Sequence, residues 1–387
     1  MDLLLFSVIG VVALALLFDF TNGFHDAANS VATVVATRAM SPRMAVWFSA
    51  ACNFAAFFVV GTGVANTVAK TVKPGQESVA VVFSALLAAI AWNYITWNIG
   101  MPSSSSHAVI GGLLGAGIAA GGLDAVNWNT VSTTALGIIV SPAVAFTIAA
   151  LGAVAVRGLQ KATGWKDDAK PFQGLQLISA AALSFGHGAN DAQKTMGVIA
   201  AVLAGSGYLT VADGSGTLPV PDWVALAAYS AIALGTIYGG WRIIETMGLK
   251  ITRLTPSVAV AANLGAVSAI FGATRLEVPI STTHAAASSV VGAGTGARRT
   301  THWKVVGEMA IAWVVTLPAA AAMGFGMAKL TQLPTALAWI TVGGVVVGLA
   351  VWIIGRMRHT TTASDVTAEL EAQVETTPRP VEVVAAA

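Results

Sequence analysis

Apolar residues run in long blocks along most of the chain, and few polar positions interrupt them. A block of roughly 17–25 apolar residues is long enough to cross a bilayer as a helix. Such segments cover residues 2–37, 44–66, 79–100, 103–120, 133–156, 172–204, 223–241, 256–273, 279–296, 304–328 and 335–355. The first is long and predicted to be interrupted. Segments 103–120 and 279–296 are short enough to be re-entrant or broken. The pattern predicts an all-α polytopic membrane protein with about 10–12 transmembrane segments, because helices satisfy their own backbone groups in lipid. Residues 360–387 are polar, acidic and Thr-rich, and are expected to be disordered or to form a short surface helix.

Two polar knots stand out against this background. In "GFHDAANSVATVVATRAM" (residues 23–40) and the residue before it, Asn22, Asp26, Asn29, Ser30, Thr33 and Thr37 recur at helical spacing and form one polar stripe. In "GHGANDAQKTMGVIA" (residues 186–200), His187, Asn190, Asp191, Lys194 and Thr195 share a face, and Asp191 can pair with Lys194 three residues on. Placing an ionisable group in a membrane costs about 2.5–3.5 kcal/mol or more, which marks a pathway or a site. Hydrogen bonding between helices is the plainer explanation for one such stripe; two matched stripes favour function. Gly23 is positioned to let the first helix break and free backbone groups for a ligand. Asp19, in the same span, reads equally as a functional group or as a neutral acid.

The knots belong to an internal repeat. "GFHDAANS" (23–30) aligns with "GANDAQKT" (188–195) at an offset of 165, and "MPSSSSHAVIGGLLGAG" (101–117) aligns with "VPISTTHAAASSVVGAG" (278–294) at 177. The chain then divides into a first copy (1–156), a cytoplasmic linker (157–171), a second copy (172–328), a final helix (335–355) and the tail (360–387). An odd number of crossings separates the copies, so the second is inverted, as in many secondary transporters. Ser104, Ser105 and Ser106 in one copy, and Ser281, Thr282 and Thr283 in the other, supply hydroxyl donors before His107 and His284. The preceding Pro suits a helix start, where free N–H groups and the helix dipole favour an anion. Capping and small-residue packing would explain a single copy. The GxxxG pairs Gly111/Gly115 and Gly344/Gly348 read as close packing.

Composition narrows the class further. The chain is 56% hydrophobic and 10% charged, against about a quarter charged in soluble domains. No basic cluster with interleaved aromatics points to nucleic acid. Cys52 is the one cysteine, so neither an intrachain disulfide nor a Cys-rich metal site can form. The N-terminus carries Asp2 rather than basic residues and reads as an uncleaved first span. Basic loops at 157–170, 241–253, 298–304 and 356–358 orient the C-terminus to the cytoplasm and the N-terminus outside; Lys70 and Lys73 then fall outside, against the rule.

Taken together, the paired Gly-x-x-Asp knots and the paired Pro-x-Ser-[Ser/Thr]-[Ser/Thr]-His segments resemble the inorganic phosphate transporter (PiT) family, over roughly residues 1–355. "NGFHDAANSVATVVATRAM" and "GHGANDAQKTMG" are most similar to its bacterial low-affinity Pit branch. The resemblance implies phosphate import across the inner (plasma) membrane by a homodimer, with substrate between two inverted repeats. Asn29, Ser104, Ser105, Ser106, Ser281, Thr282, Thr283 and Lys194 are the expected substrate-binding residues. His25, Asp26, Asn190 and Asp191 are expected to couple transport to a proton or other cation. Sodium-coupled members favour Gly-x-Asn-Asp-x-x-Asn in both copies. Here His25 replaces the first Asn of that pattern in one copy, and Lys194 the last Asn in the other. Lys194 offers only donors and cannot bind sodium, but it can stand in for a cation beside Asp191. His25 titrates near neutral pH unless shifted. Protons are therefore the expected coupling ion. No cofactor is expected, and no fixed metal, although a divalent metal carried with phosphate as a neutral complex would relieve the negative charge of Asp26 and Asp191.

The rival readings are a sodium-coupled phosphate symporter, a sulfate symporter, a channel, a receptor and an intramembrane enzyme. Phosphate donates hydrogen bonds at neutral pH and sulfate does not, so acceptors such as Asp26, Asp191 and Asn29 favour phosphate. The absence of a compact metal-ligand pattern and the duplication of the polar groups both weigh against an enzyme.

Overall fold

The computed structural model describes residues 3–210, 217–357 and 360–375. Within these, six elements follow one another: α1 (Leu3–Ala36), α2 (Pro42–Ala55), α3 (Gly63–Ala69), α4 (Val79–Asn98), α5 (Ser105–Gly121) and α6 (Trp128–Thr163). The same order recurs in α7 (Lys170–Gly205), α8 (Asp222–Tyr238), α9 (Trp241–Glu245), α10 (Pro256–Arg275), α11 (Thr282–Gly296) and α12 (Trp303–Thr331). A further long helix, α13 (Thr335–Met357), and a short one, α14 (Ala363–Glu375), complete the described chain. The fold is all-α; the described residues contain only two isolated β-bridges, Val72 with Val126 and Thr252 with Thr301.

By length and hydropathy, α1, α4, α6, α10, α12 and α13 can each cross a membrane. Two bent pairs bring the count to eight: residues 42–58 with α3, at 89°, and α8 with α9 and the π-helical turn Thr246–Lys250, at 69°. All the apolar blocks read from the sequence form helices, but not all qualify as spans. Helix α7 is long enough but carries the second polar knot. Helices α5 and α11 have 17 and 15 residues. At 1.5 Å per residue they reach about 25 and about 22 Å, short of the ~30 Å hydrocarbon layer.

Two expectations need correction. The first segment is one continuous helix of 34 residues, unbroken at Gly23. That glycine serves packing instead: a Cβ there would lie 2.2 Å from the carbonyl oxygen of Ile232, and one on Gly235 would lie 2.1 Å from that of Phe20. Helices α1 and α8 thus meet backbone to backbone. The linker expected over 157–171 contracts to 164–169, because α6 runs on through Lys161 to Gly164, which caps it at φ 71°. Part of the tail is helical: α14 buries Val366 and Leu370, four residues apart, and packs on α2 and α9. Thr362 and Asp365 cap it reciprocally, the Asp365 amide donating to Thr362 Oγ1 and the Thr362 amide to Asp365 Oδ2. Residues 376–387 of the expected tail lie outside the described residues.

The copies exchange their last helices. Helix α6 packs on α10 and α11, and α12 packs on α4 and α5. Glycine permits these crossings. A Cβ on Gly111 or Gly115 would lie 2.5 or 1.8 Å from carbonyl oxygens of α12, and one on Gly292 or Gly296 would lie 2.3 Å from carbonyl oxygens of α6. Among the described residues, a Cβ on Gly344 or Gly348 would meet nothing within 4 Å. Helix α13 buries none of its residues. Helices α1 and α7 pack against each other and against α2 and α8, which brings the two polar knots together.

Candidate functional site

The knots are legible as stripes because a helix repeats every 3.6 residues. What the fold adds is that the two stripes face each other. One ligand atom each from Asp26, His187 and Asp191 falls within 4.8 Å of the others, and all three side chains are buried. Around Asp26, His25 Nδ1 lies 2.7 Å from Oδ1, and the Ser105 hydroxyl donates to the same oxygen at 3.2 Å. Around Asp191, Lys194 pairs with Oδ1, Thr282 donates to Oδ2 at 2.9 Å, and His187 Nε2 lies 3.2 Å from Oδ2. Lys194 also donates to the Ile280 carbonyl at 2.9 Å.

The Ser/Thr segments deliver their hydroxyls through helix starts. Ser104 and Ser281 are the N-caps of α5 and α11, accepting from the amides of His107 and His284 at 3.2 and 3.1 Å. Each Pro lies two residues before its cap and not at the helix start that the motif suggested; Ser104 and Ser281 are extended, and the Ser closes the first turn. Asn29 bridges the copies, donating to Thr282 Oγ1 at 3.3 Å and Thr283 Oγ1 at 3.1 Å, while its own Oδ1 is buried without a partner. Ser106 is buried and makes no hydrogen bond among the described residues.

Of the residues singled out from the sequence, Asp26 and Ser105 bond into one set with His25, and Asn29, Asp191, Lys194, Thr282 and Thr283 into a second; the two sets meet where carboxyl oxygens of Asp26 and Asp191 come within 4.8 Å of each other. Ser104 and Ser281 act as caps at its edge. Asn190 turns away: its amide donates to Thr274 Oγ1 on α10 at 3.0 Å. As the next residue on the helix it points about 100° round the axis from Asp191, and here that direction meets α10.

Several neighbours carry no motif of their own and escaped the sequence reading. Thr96 on α4 lies 3.0 Å from His25 Nε2 and accepts from Ser103 at 2.8 Å. Asn53 on α2 lies 3.2 Å from His187 Nδ1. His107 and His284 meet edge to face with ring centroids 4.4 Å apart, and Trp313 on α12 stacks on His284 at 4.2 Å. Trp313 Nε1 donates to the Pro102 carbonyl at 3.0 Å, which ties α12 to the start of the Ser-rich segment. Only helix exchange brings Trp313 here, so no local signal could have found it.

The centre holds two carboxylates against one ammonium. With neutral imidazoles it has a surplus of one negative charge, on side chains that are all buried. It offers hydroxyl donors, an amide and a lysine to an anion, and carboxylate and imidazole atoms to a proton or cation. A polytopic helical protein with such a buried, charged, duplicated centre is a membrane transport protein by fold and site. The phosphate transporter family matches residues 22–324. A probable low-affinity inorganic phosphate transporter of Rhizobium meliloti (strain 1021) is 46% identical over 81% of this chain and 93% of its own length. Another, of Bacillus subtilis (strain 168), is 42% identical over 84% of this chain and 97% of its own. A solved structure, a sodium-dependent phosphate transporter, superposes with a TM-score of 0.73 at 27% identity, covering 84% of this chain and 99% of that one. The chain belongs to the phosphate transporter family. Its relatives are named as transporters, so it is not an enzyme.

Proposed function

We propose that the chain imports inorganic phosphate across the plasma membrane as a secondary active transporter coupled to protons. The observation that carries the coupling is Lys194. It lies at the repeat position matched by Asn29 on α1, and its ammonium rests against Asp191. An ammonium occupies a place that an alkali cation would need, and it brings no oxygen ligand. His25 and Asp26, in contact at 2.7 Å, and Asp191 are the groups assigned to proton transfer. Phosphate binds between Asn29, Lys194 and the hydroxyls of Ser105, Ser106, Thr282 and Thr283, at the starts of α5 and α11. Ser104 and Ser281 hold those starts in shape. Asn190 contributes from outside the centre.

The surplus negative charge favours phosphate arriving as a neutral complex with a divalent metal. Asp26, His187 and Asp191 are the groups such a cargo cation would meet. The repeated element order and the exchange of α6 and α12 support two inverted repeats that move against each other in alternating access, elevator-like, around a closed centre. The C-terminus is assigned to the cytoplasm, and the functional unit to a homodimer.

Labelled phosphate uptake into sodium-free proteoliposomes, with and without an inward pH gradient, tests the reading. Accumulation driven by the pH gradient is expected. Accumulation only on addition of sodium would keep phosphate transport and overturn the coupling. That second reading has its own support in the solved relative, which is a sodium-dependent phosphate transporter. Competition by sulfate distinguishes the two anions.

A further inference from the structure

The stripe on α1 does not end at Asp26. Asp19 lies seven residues earlier on the same face, about 10 Å along the axis. It is fully buried, and neither carboxyl oxygen has a hydrogen-bond partner. Its carboxyl faces Asn22 on its own helix and Thr195 on α7, and its charge reaches Tyr229 on α8. Asn22 Oδ1, Thr195 Oγ1 and Tyr229 Oη are likewise buried and unpartnered. Asp19, Asn22 and Thr195 thus bring four buried oxygen atoms near one another with no hydrogen bond of ordinary length. A buried polar group without a partner is unfavourable, and a proton shared within the cluster relieves that.

We propose that Asp19 is a further carrier of the transported proton, added to His25, Asp26 and Asp191, in a buried cluster with Asn22 and Thr195 and apart from the carboxylates that meet phosphate. The inference rests on proton coupling as proposed above and assigns it to a site. The cluster can serve both states of the acid. Protonated, Asp19 donates to Asn22 Oδ1, which can only accept. Ionised, it accepts from the hydroxyl of Thr195. A sodium ion fits less well. Sodium sites in such transporters draw carbonyl oxygens from unwound helix, and α1 is continuous through this stretch, so its carbonyls stay engaged in the helix.

The ionisable groups around Asp19 are Tyr229 on α8, and Asp191 and Lys194 on α7. Helix α4 carries no acidic or basic residue, and Arg43, the base of α2, is in its first turn. The groups of α9 lie against the later part of α1, where Gly240 meets the Phe24 carbonyl. Asp191 and Lys194 therefore link the cluster electrostatically to the phosphate centre, and protonation in one is felt in the other.

The test compares wild type with Asp19→Asn in proteoliposomes, measuring phosphate exchange at equal pH and accumulation under an inward pH gradient. Asp19→Asn is expected to keep exchange within about twofold of wild type and to lose gradient-driven accumulation entirely. Accumulation as in wild type would overturn the proposal. So would loss of exchange in a variant that phosphate still stabilises against heat. If wild type itself accumulates only with sodium, proton coupling fails and the assignment falls with it, a result distinct from failure of the variant alone. Should Asp19→Asn not fold, Thr195→Val decides. It is expected to move the pH midpoint of accumulation by about half a unit or more with exchange retained, and an unmoved midpoint would overturn the proposal.

Discussion

Replacing Lys194 by Met keeps the length of the side chain and removes its charge. In wild type the ammonium is 1% exposed and bound to both Asp191 and the Ile280 carbonyl. Without it, Asp191 keeps Thr282 and His187 but has no fixed cation. Breaking a buried pair by removing one partner costs about 3–5 kcal/mol, whereas replacing both by neutral groups of similar shape is close to neutral. The expected order of stability is therefore wild type, then Asp191→Asn/Lys194→Met slightly below or equal to it, with Lys194→Met lowest. The coupling energy should exceed about 2 kcal/mol, since contacting residues couple by about 0.5–3 kcal/mol and this pair is fully enclosed. Unfolding of the single and double variants by SDS titration in mixed micelles measures each corner of the cycle. If Lys194→Met is as stable as wild type within about 0.5 kcal/mol, the ammonium is not compensating a buried carboxylate, and the argument built on it collapses.

Four shorter expectations follow from the same geometry. Asp26→Asn and Asp191→Asn should each abolish phosphate uptake while leaving the protein folded; normal uptake in both would remove the carboxylates from the mechanism. Lys194→Asn places the residue of Asn29 in both copies, and uptake by this variant should become stimulated by sodium; an unchanged response to sodium would refute the role given to the ammonium. Gly23→Ala drives a Cβ to 2.2 Å from the Ile232 carbonyl oxygen, so α1 and α8 must separate. Overpacking of this kind costs about 1–3 kcal/mol, and a wild-type melting profile would contradict it. Asp167, in the loop after α6, is raised in pKa by burial, but hydrogen bonds from Ser257 and Gln160 and the charge of Arg299 outweigh that and hold it below the usual carboxylate range. Its stabilising effect is present above the ordinary value of about 3.9 and fades as pH falls through the lower folded value. Asp167→Asn should thus lose up to about 1 kcal/mol at neutral pH, the range of exposed pairs, and the difference from wild type should shrink on acidification; a constant gap from pH 7 down to acid would count against the pairing.

The amino-acid sequence by itself determined the class of fold, because long apolar blocks in lipid can only be helices. It also determined the repeat and the two polar stripes, since a 3.6-residue period is local and survives without any tertiary contact. Asp26, Asn29, Asp191, Lys194 and the hydroxyls of Ser105, Thr282 and Thr283 were all legible on that ground. What the sequence left undecided is what each stripe faces. Gly23 reads locally as a place for a helix to break, yet the approach of Gly235 on α8 makes it a crossing point. Asn190 reads as part of the knot, yet it points to Thr274 because α10 packs on that side of α7. Thr96, Asn53 and Trp313 have no local mark at all; they reach the centre because α1 and α7 pack together and α12 crosses to the other copy. Asp19 was ambiguous for the same reason. Only the packing of α7 against α1 brought Thr195 to its carboxyl, and contacts between residues far apart in the chain are set by how helices pack rather than by any pattern within one helix.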